Sequence, residues 1–173
     1  MTYAPQDGDF GLTQITGNVG RLIRLGQWLN GDGFADYQHA FVYVGEGQVV
    51  EAMPGGAERA LLSKYDAARV AWYSCPREHA SAICEQATNL IGTPYSFLDY
   101  LALAALRLKL PLASRLLRGY VASSGHLICS ALVDRAYERG GVNLFTDGRL
   151  PGDVTPLDLY GLIRKQRQKA EAA

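Results

Sequence analysis

The chain has 173 residues, of which 48% are hydrophobic and 20% charged, and 17 lysines and arginines balance 17 aspartates and glutamates. This composition is typical of a soluble globular protein, and the length predicts one domain, residues 1–173, whose core needs no cross-links. The zero net charge gives no indication of a nucleic-acid partner. The three cysteines, Cys75, Cys84 and Cys129, form no close pair and no zinc-type spacing, so we expect neither a disulfide framework nor a metal site.

Two segments bear on the location of the protein. The N-terminal residues lack the basic start and apolar core of a secretory signal, so we expect a cytoplasmic protein, with release by a non-secretory route as the alternative. The most apolar stretch, 97–117, contains charged residues and Pro111, so it lacks the roughly 20 uninterrupted apolar residues that a membrane-spanning helix needs.

At the C-terminal end, residues 164–173 are polar and without a helix cap, and we expect a disordered tail there.

The first elements in chain order are a turn at 7–9 and a short extended segment that begins at Phe10. Apolar residues then recur at helical spacing over 19–29, which predicts a helix. Two strands are predicted next, from His39 to Val44 and from Gln48 to Met53, because β-branched and aromatic residues are frequent in both.

The turn between these two strands decides which residues share a face. A three-residue loop, Gly45-Glu46-Gly47, would pair Phe41 with Glu51. His39 and Glu51 would then be diagonal neighbours on one face of the hairpin. A two-residue loop would place them on opposite faces instead.

Four further segments complete the prediction. After a polar stretch, a third strand is expected at 69–74, and a helix begins at Pro76, reaches about Ile91 and ends at Gly92. The leucine-rich segment 100–118 predicts one or two short amphipathic helices. An apolar stripe over 127–139, followed by two glycines, predicts a last helix that carries Cys129 in its first turn.

A cysteine in the first turn of a helix faces the positive end of the helix dipole, which stabilises a thiolate. A lone helical cysteine is more often a core residue than a catalytic one, and a histidine at a strand end is often only a satisfied polar group. The combination is more informative, because a histidine activates a thiol and a carboxylate orients the imidazole. His39 and Glu51 are the candidates for these two roles, since His79 lies in a charged helix start and His126 precedes the helix of Cys129.

Six short motifs occur along the chain in a fixed order. They are Asp7-Gly8-Asp9-Phe10-Gly11-Leu12, Tyr37-Gln38-His39-Ala40-Phe41-Val42-Tyr43-Val44-Gly45, Val49-Val50-Glu51-Ala52, Gly92-Thr93-Pro94-Tyr95, Cys129-Ser130-Ala131-Leu132-Val133 and Thr155-Pro156-Leu157-Asp158-Leu159. In this order they resemble the motifs of the circularly permuted NlpC-type cysteine peptidases, which are kin of the lecithin:retinol acyltransferases. The resemblance covers nearly the whole chain, and it includes the early histidine and late cysteine of the permuted branch.

The resemblance implies an α+β, papain-like fold in which an antiparallel sheet packs against helices that include the nucleophile helix. It implies Cys129 as nucleophile, His39 as base and Glu51 as the residue that orients the base. Tyr95 is implied as a substrate-binding residue, with packing in a tight turn as the alternative role. The family often has glutamate two residues after the cysteine, where this chain has Ala131.

The predicted function is that of a cysteine hydrolase or acyl-transferase, which acts on an amide or ester of a lipid-like substrate through an acyl-enzyme and needs no metal or cofactor. A cell-wall peptide endopeptidase or amidase is the first alternative. A non-catalytic lipid- or ligand-binding module is the second. The basic and leucine-rich segment 100–118 suggests peripheral membrane contact, with core packing as the alternative. The sequence gives no indication of the oligomeric state.

Overall fold

The computed structural model describes residues 3–14, 37–53, 55–65, 69–94, 129–149 and 153–172. The predicted helix over 19–29, the segment 100–118 and Tyr95 lie outside these ranges. The predictions made for them therefore stay predictions.

The centre of the fold is an antiparallel sheet. The strand bounds are Phe10–Thr13 for β1, His39–Tyr43 for β2, Gln48–Met53 for β3, Gly56–Leu61 for β4 and Ala71–Tyr73 for β5. Within the described part of the chain these five strands are ordered β4-β3-β2-β1-β5. Strand β2, which begins at His39, therefore has a hydrogen-bonded neighbour on each side.

The turn between β2 and β3 sets the register that the site depends on. Val44 N–H donates to the carbonyl of Gln48 at 3.0 Å and closes a three-residue loop. The loop residues, Gly45-Glu46-Gly47, all have positive φ, which glycine adopts at two of the three positions without steric cost. Phe41 consequently pairs with Glu51, and the predicted register is confirmed.

The two faces of the sheet carry separate groups of buried side chains. One face packs against helices, and its strand residues include Phe10, Leu12, Ala40, Val42, Val50 and Ala52. The other face holds a smaller apolar cluster of Phe41, Val49 and Trp72. Because side chains alternate along a strand, His39 and Glu51 belong to the face of Phe41.

Three α-helices are described. They are α1, Ala80–Asn89, which follows a 3₁₀ turn at Arg77–His79, then α2, Cys129–Arg139, and α3, Pro156–Glu171. Helix α2 packs on β2, β3 and α1. The architecture is thus α+β, as predicted at this level of detail. None of the described helices has the length and apolar character to cross a membrane.

Strand β4 is an element that the sequence analysis missed, because Gly56–Leu61 falls in the stretch judged only polar. Its alanines and charged residues have low strand propensity. The segment is a strand because it pairs with β3 along its whole length, from Met53 opposite Gly56 to Gln48 opposite Leu61. Tertiary pairing has overridden local preference here.

The C-terminal segment also differs from the prediction, because residues 164–171 are helical rather than disordered. Helix α3 begins with a capping box, in which the Thr155 side chain accepts from Asp158 N–H and the Asp158 side chain accepts from Thr155 N–H. Farther along, Gln166 donates to the carbonyl of Ser74 at 2.8 Å and accepts from Ser74 N–H at 2.9 Å. These contacts fix a segment whose polar composition indicated a frayed end.

Candidate active site

The site is centred on His39, the first residue of β2. Because Phe41 pairs with Glu51, His39 and Glu51 stand on one face as diagonal neighbours. His39 Nε2 lies 2.5 Å from Glu51 Oε2, and the two side chains are only 1% and 0% exposed. The arrangement expected from the hairpin register is therefore present, in surroundings that water screens poorly.

Cys129 approaches His39 around the end of the sheet. Helix α2 packs on the face that carries Ala40, whereas His39 belongs to the opposite face. The two residues meet where β2 begins: Cys129 Sγ lies 3.9 Å from the carbonyl oxygen of Gln38, the residue before His39, and Cys129 is close enough to His39 to help raise the pKa of its ring. Since Glu51 occupies Nε2, Nδ1 is the ring nitrogen left for the sulfur. Cys129, His39 and Glu51 thus lie together at the start of β2.

Burial and hydrogen-bond partners shift the pKa values of His39 and Glu51 in opposite directions. Burial alone lowers the pKa of His39, but the hydrogen bonds and charges of Cys129 and Glu51 outweigh it and raise that pKa to about 9. Burial alone raises the pKa of Glu51, but hydrogen bonds from His39, Lys64 and Tyr65 and the His39 charge lower it to about 2. At neutral pH, His39 is an imidazolium that is paired with the Glu51 carboxylate and interacts with Cys129.

Two further side chains contact Glu51, and sequence reasoning missed both. Lys64 Nζ donates to Oε1 at 2.7 Å, and the Tyr65 hydroxyl donates to Oε2. Burial and the neighbouring Glu51 raise the pKa of Tyr65 far above its ordinary value, so the hydroxyl stays protonated and remains a donor. Lys64 ends the 3₁₀ turn Leu62–Lys64 that follows β4, and Tyr65 is the next residue. No local motif in the sequence marked either of them.

An aromatic stack fixes the position of Tyr65. Its ring lies parallel to that of Phe41, with centroids 5.0 Å apart and planes 13° apart. Phe41 in turn lies over Gly11, where an added Cβ would be 2.5 Å from Phe41 Cε2. Glycine at position 11 therefore gives the Phe41 ring the space that it occupies beneath Tyr65.

The other two thiols have different surroundings. Cys75 is buried with Sγ 3.5 Å from the carbonyl oxygen of Asp7, and burial raises its pKa to about 11. Cys84 Sγ lies 3.6 Å from the carbonyl oxygen of Tyr43, and burial also raises the pKa of this thiol. Both groups are protonated at neutral pH, and neither has a hydrogen bond to His39 in the described residues.

Other polar residues considered in the sequence analysis have structural partners. His79 Nδ1 lies 2.9 Å from the carbonyl oxygen of Gly140 and joins α1 to the end of α2. The buried carboxylate of Asp9 belongs to a separate cluster, in which it accepts from the side chains of Tyr3 and Arg77 and from the backbone N–H groups of Gln6 and Cys75. This cluster fixes the segment that leads into β1.

Some predicted features lie outside the described residues, among them Tyr95, His126 and the segment 100–118. The proposed substrate-binding role of Tyr95 therefore stays a prediction. Within the described ranges, no group of three or more His, Cys, Asp or Glu side chains is arranged to hold a metal ion.

The arrangement is chemically suited to nucleophilic catalysis, because a thiol, an imidazole and a carboxylate lie together, and groups of these types can serve as nucleophile, acid–base group and orienting residue. A scan against models of protein families gives no match for this chain, and a search of curated proteins finds none that is similar.

Proposed function

We propose that this protein is a cysteine hydrolase or acyl-transferase with a papain-like, permuted NlpC-type fold. Cys129 is the nucleophile, His39 the acid–base group and Glu51 the residue that orients His39. The observation that carries the proposal is that Glu51 Oε2 lies 2.5 Å from His39 Nε2, while Cys129 Sγ lies 3.9 Å from the carbonyl oxygen of Gln38, the residue before His39.

The reaction proceeds in two steps. The Cys129 thiolate attacks the carbonyl carbon of an amide or ester, a thioester forms, and the leaving amine or alcohol takes a proton from the His39 imidazolium. Water or another acceptor then gives a proton to His39 and attacks the thioester, which releases the acyl group and restores the thiolate. A backbone N–H at the start of α2, such as that of Cys129, stabilises the oxyanion in both steps.

The burial of the charged pair supports catalysis over a purely binding role. His39 and Glu51 are almost fully buried, and desolvation of charged groups opposes folding unless they are well paired. A binding module has no need of an imidazolium between a thiol and a carboxylate, whereas acyl transfer uses each of these groups.

The direct test is to trap the thioester. The protein is incubated with activated acyl esters, one set with long alkyl chains and one set with short peptides, and the adduct is located by mass spectrometry. We expect an acyl mass on Cys129, and the variant Cys129→Ala should acquire none. Cys84→Ala is the matched control and should be acylated like the wild type. Absence of acylation on Cys129 with both sets would support the binding-module alternative.

The class of substrate follows from which set reacts faster. The lipid-directed proposal derives from the basic, leucine-rich sequence at 100–118, because such segments bind anionic membrane surfaces. We expect faster acylation by the alkyl set and salt-sensitive sedimentation with anionic vesicles. Faster reaction with the peptide set and no sedimentation would favour a peptide amidase instead.

A further inference from the structure

Among the described residues, the Glu51 carboxylate has more side-chain partners than the His39 imidazole that it is proposed to orient. Glu51 is fully buried, and both of its oxygens are occupied: Oε2 by His39 and the Tyr65 hydroxyl, and Oε1 by Lys64 Nζ at 2.7 Å. Lys64 is itself 42% exposed, so it connects the buried carboxylate to solvent. A buried carboxylate with one partner is free to rotate, whereas one with contacts at both oxygens has a fixed orientation.

We propose that Lys64 and Tyr65 are positioning residues, which hold the Glu51 carboxylate toward His39 and share its negative charge with the imidazolium. The inference rests on the proposed function, since it assigns a role in the same triad. Neither residue touches the reacting sulfur in this scheme. Both act on the reaction through Glu51.

The local structure explains why these two residues reach Glu51. Strand β4 pairs with β3 so that Glu58 lies opposite Glu51, and the 3₁₀ turn Leu62–Lys64 then brings the chain back over this face. Tyr65 N–H donates to the carbonyl of Leu62 at 3.0 Å, which closes the turn. The ring of Tyr65 stacks on Phe41, so its hydroxyl is directed to the carboxylate by packing as well as by the hydrogen bond.

The way in which the Glu51 charge is shared determines whether the pKa of His39 rises or falls when a partner of Glu51 is removed. Within the described residues, the charged and titratable groups around Glu51 and His39 are Cys129, Lys64, Tyr65 and, 3.9 Å from Lys64 Nζ, Glu58. Without the Lys64 cation, less of the Glu51 charge is neutralised and a positive charge that repels the imidazolium is gone. Without the Tyr65 hydroxyl, the oxygen that faces His39 is more basic. Either loss should let His39 keep its proton to higher pH.

The test follows the titration of His39 by nuclear magnetic resonance of protein with labelled histidine rings, with its signal assigned from its absence in His39→Gln. We expect the midpoint to rise by about half a pH unit in Lys64→Met and in Tyr65→Phe. Lys64→Arg should keep the wild-type midpoint. Glu58→Gln is the matched control, since it removes an exposed carboxylate opposite Glu51 that makes only a long contact to Lys64, and it should leave the midpoint nearly unchanged.

A purely structural role gives a different result. If Lys64→Met and Tyr65→Phe lower thermal stability but leave the His39 midpoint at the wild-type value, the inference is overturned. The titration needs no substrate, so it separates this inference from the proposed function. If Cys129 forms no thioester but Lys64→Met still shifts the midpoint of the His39 titration, the proposed function fails. The electrostatic coupling of Lys64 to His39 through Glu51 then stands. If Cys129 is acylated but neither variant shifts the His39 midpoint, only the coupling of Lys64 and Tyr65 to His39 is overturned.

Discussion

Glu51 lies opposite Phe41 in the β2–β3 ladder, yet its carboxylate crosses diagonally to His39 and lies 2.5 Å from Nε2. This diagonal contact leaves the other ring nitrogen of His39 for Cys129. It also makes the site dependent on one hairpin register, because a shift by one residue would turn Glu51 to the face that packs on α2.

Replacement of the Glu51 carboxylate by an amide tests its proposed orienting role. Glu51→Gln should retain the fold, because glutamine has nearly the same volume, and should reduce the acylation rate by about 10²- to 10⁴-fold because the imidazole is less well oriented. Single-turnover kinetics measure the acylation rate, and circular dichroism checks that the fold is retained. Glu58→Gln, on the paired position of β4, is the control and should acylate like the wild type. Equal rates for Glu51→Gln and wild type would remove Glu51 from the triad.

The buried pair should also make stability depend on pH. The pKa of His39 is raised from 6.5 to about 9, so its contribution to folding is complete below pH 6.5 and is lost as the pH rises through 9. The pKa of Glu51 is lowered from 4.5 to about 2, so its contribution is complete above pH 4.5 and is lost as the pH falls through 2. Urea denaturation should therefore give a lower free energy of unfolding at pH 9 than at pH 6. This difference should be smaller in His39→Gln, and an equal difference in both proteins would contradict the assignment.

The close contact of Gly11 with Phe41 predicts a mutation that disturbs the site from a distance. Gly11→Ala places a methyl group against the Phe41 ring, and overpacking of this kind lowers the free energy of unfolding by about 1–3 kcal/mol. Displacement of Phe41 should also move Tyr65 and slow acylation. Gly161→Ala is the control, because Gly161 lies within α3 and, among the described residues, no atom beyond the adjacent residues and the helix's own backbone lies within 4 Å of the added methyl; this change should raise stability by up to about 1 kcal/mol. Wild-type stability and acylation in Gly11→Ala would contradict this account of the packing.

A buried acid on α2, the helix that carries Cys129, offers a second test by pH. Asp134 is 7% exposed, and burial together with the charge of Glu138 raises its pKa to about 6. The folded protein thus binds a proton more strongly than the unfolded chain, and stability from this group falls as the pH rises from about 4 to 6. Asp134→Asn should increase the free energy of unfolding at pH 8 and change it little at pH 3.5. Glu138→Gln, which removes only the repulsion, should give a smaller gain at pH 8. A loss of stability in Asp134→Asn at pH 8 would show that the carboxylate is needed there.

The parts of the site that sequence predicted are those encoded locally. Two glycines in the Gly45-Glu46-Gly47 loop indicate a three-residue turn, and the turn fixes the relation of His39 to Glu51. The apolar stripe after Cys129 and the glycines at 140 and 141 mark the extent of α2. Each of these features can be predicted from residues that are close together in the sequence.

The parts that were missed depend on contacts distant in sequence. Strand β4 has poor strand propensity and exists through its pairing with β3. Lys64 and Tyr65 reach Glu51 only after that strand has turned the chain back over the sheet, so no pattern near them indicates their role. The helical residues after position 164 are held in part by Gln166 on Ser74, a contact across 92 positions.

The central claim is that Cys129 is the activated thiol, and competitive alkylation tests it most directly. Limiting iodoacetamide is added at pH 6, and the label on each cysteine is measured by mass spectrometry over time. The account predicts that Cys129 reacts at least about 10-fold faster than Cys75 and Cys84, whose thiols are kept protonated by burial, and that His39→Gln removes this advantage. Faster labelling of Cys75 or Cys84 than of Cys129 in the folded wild-type protein would contradict it.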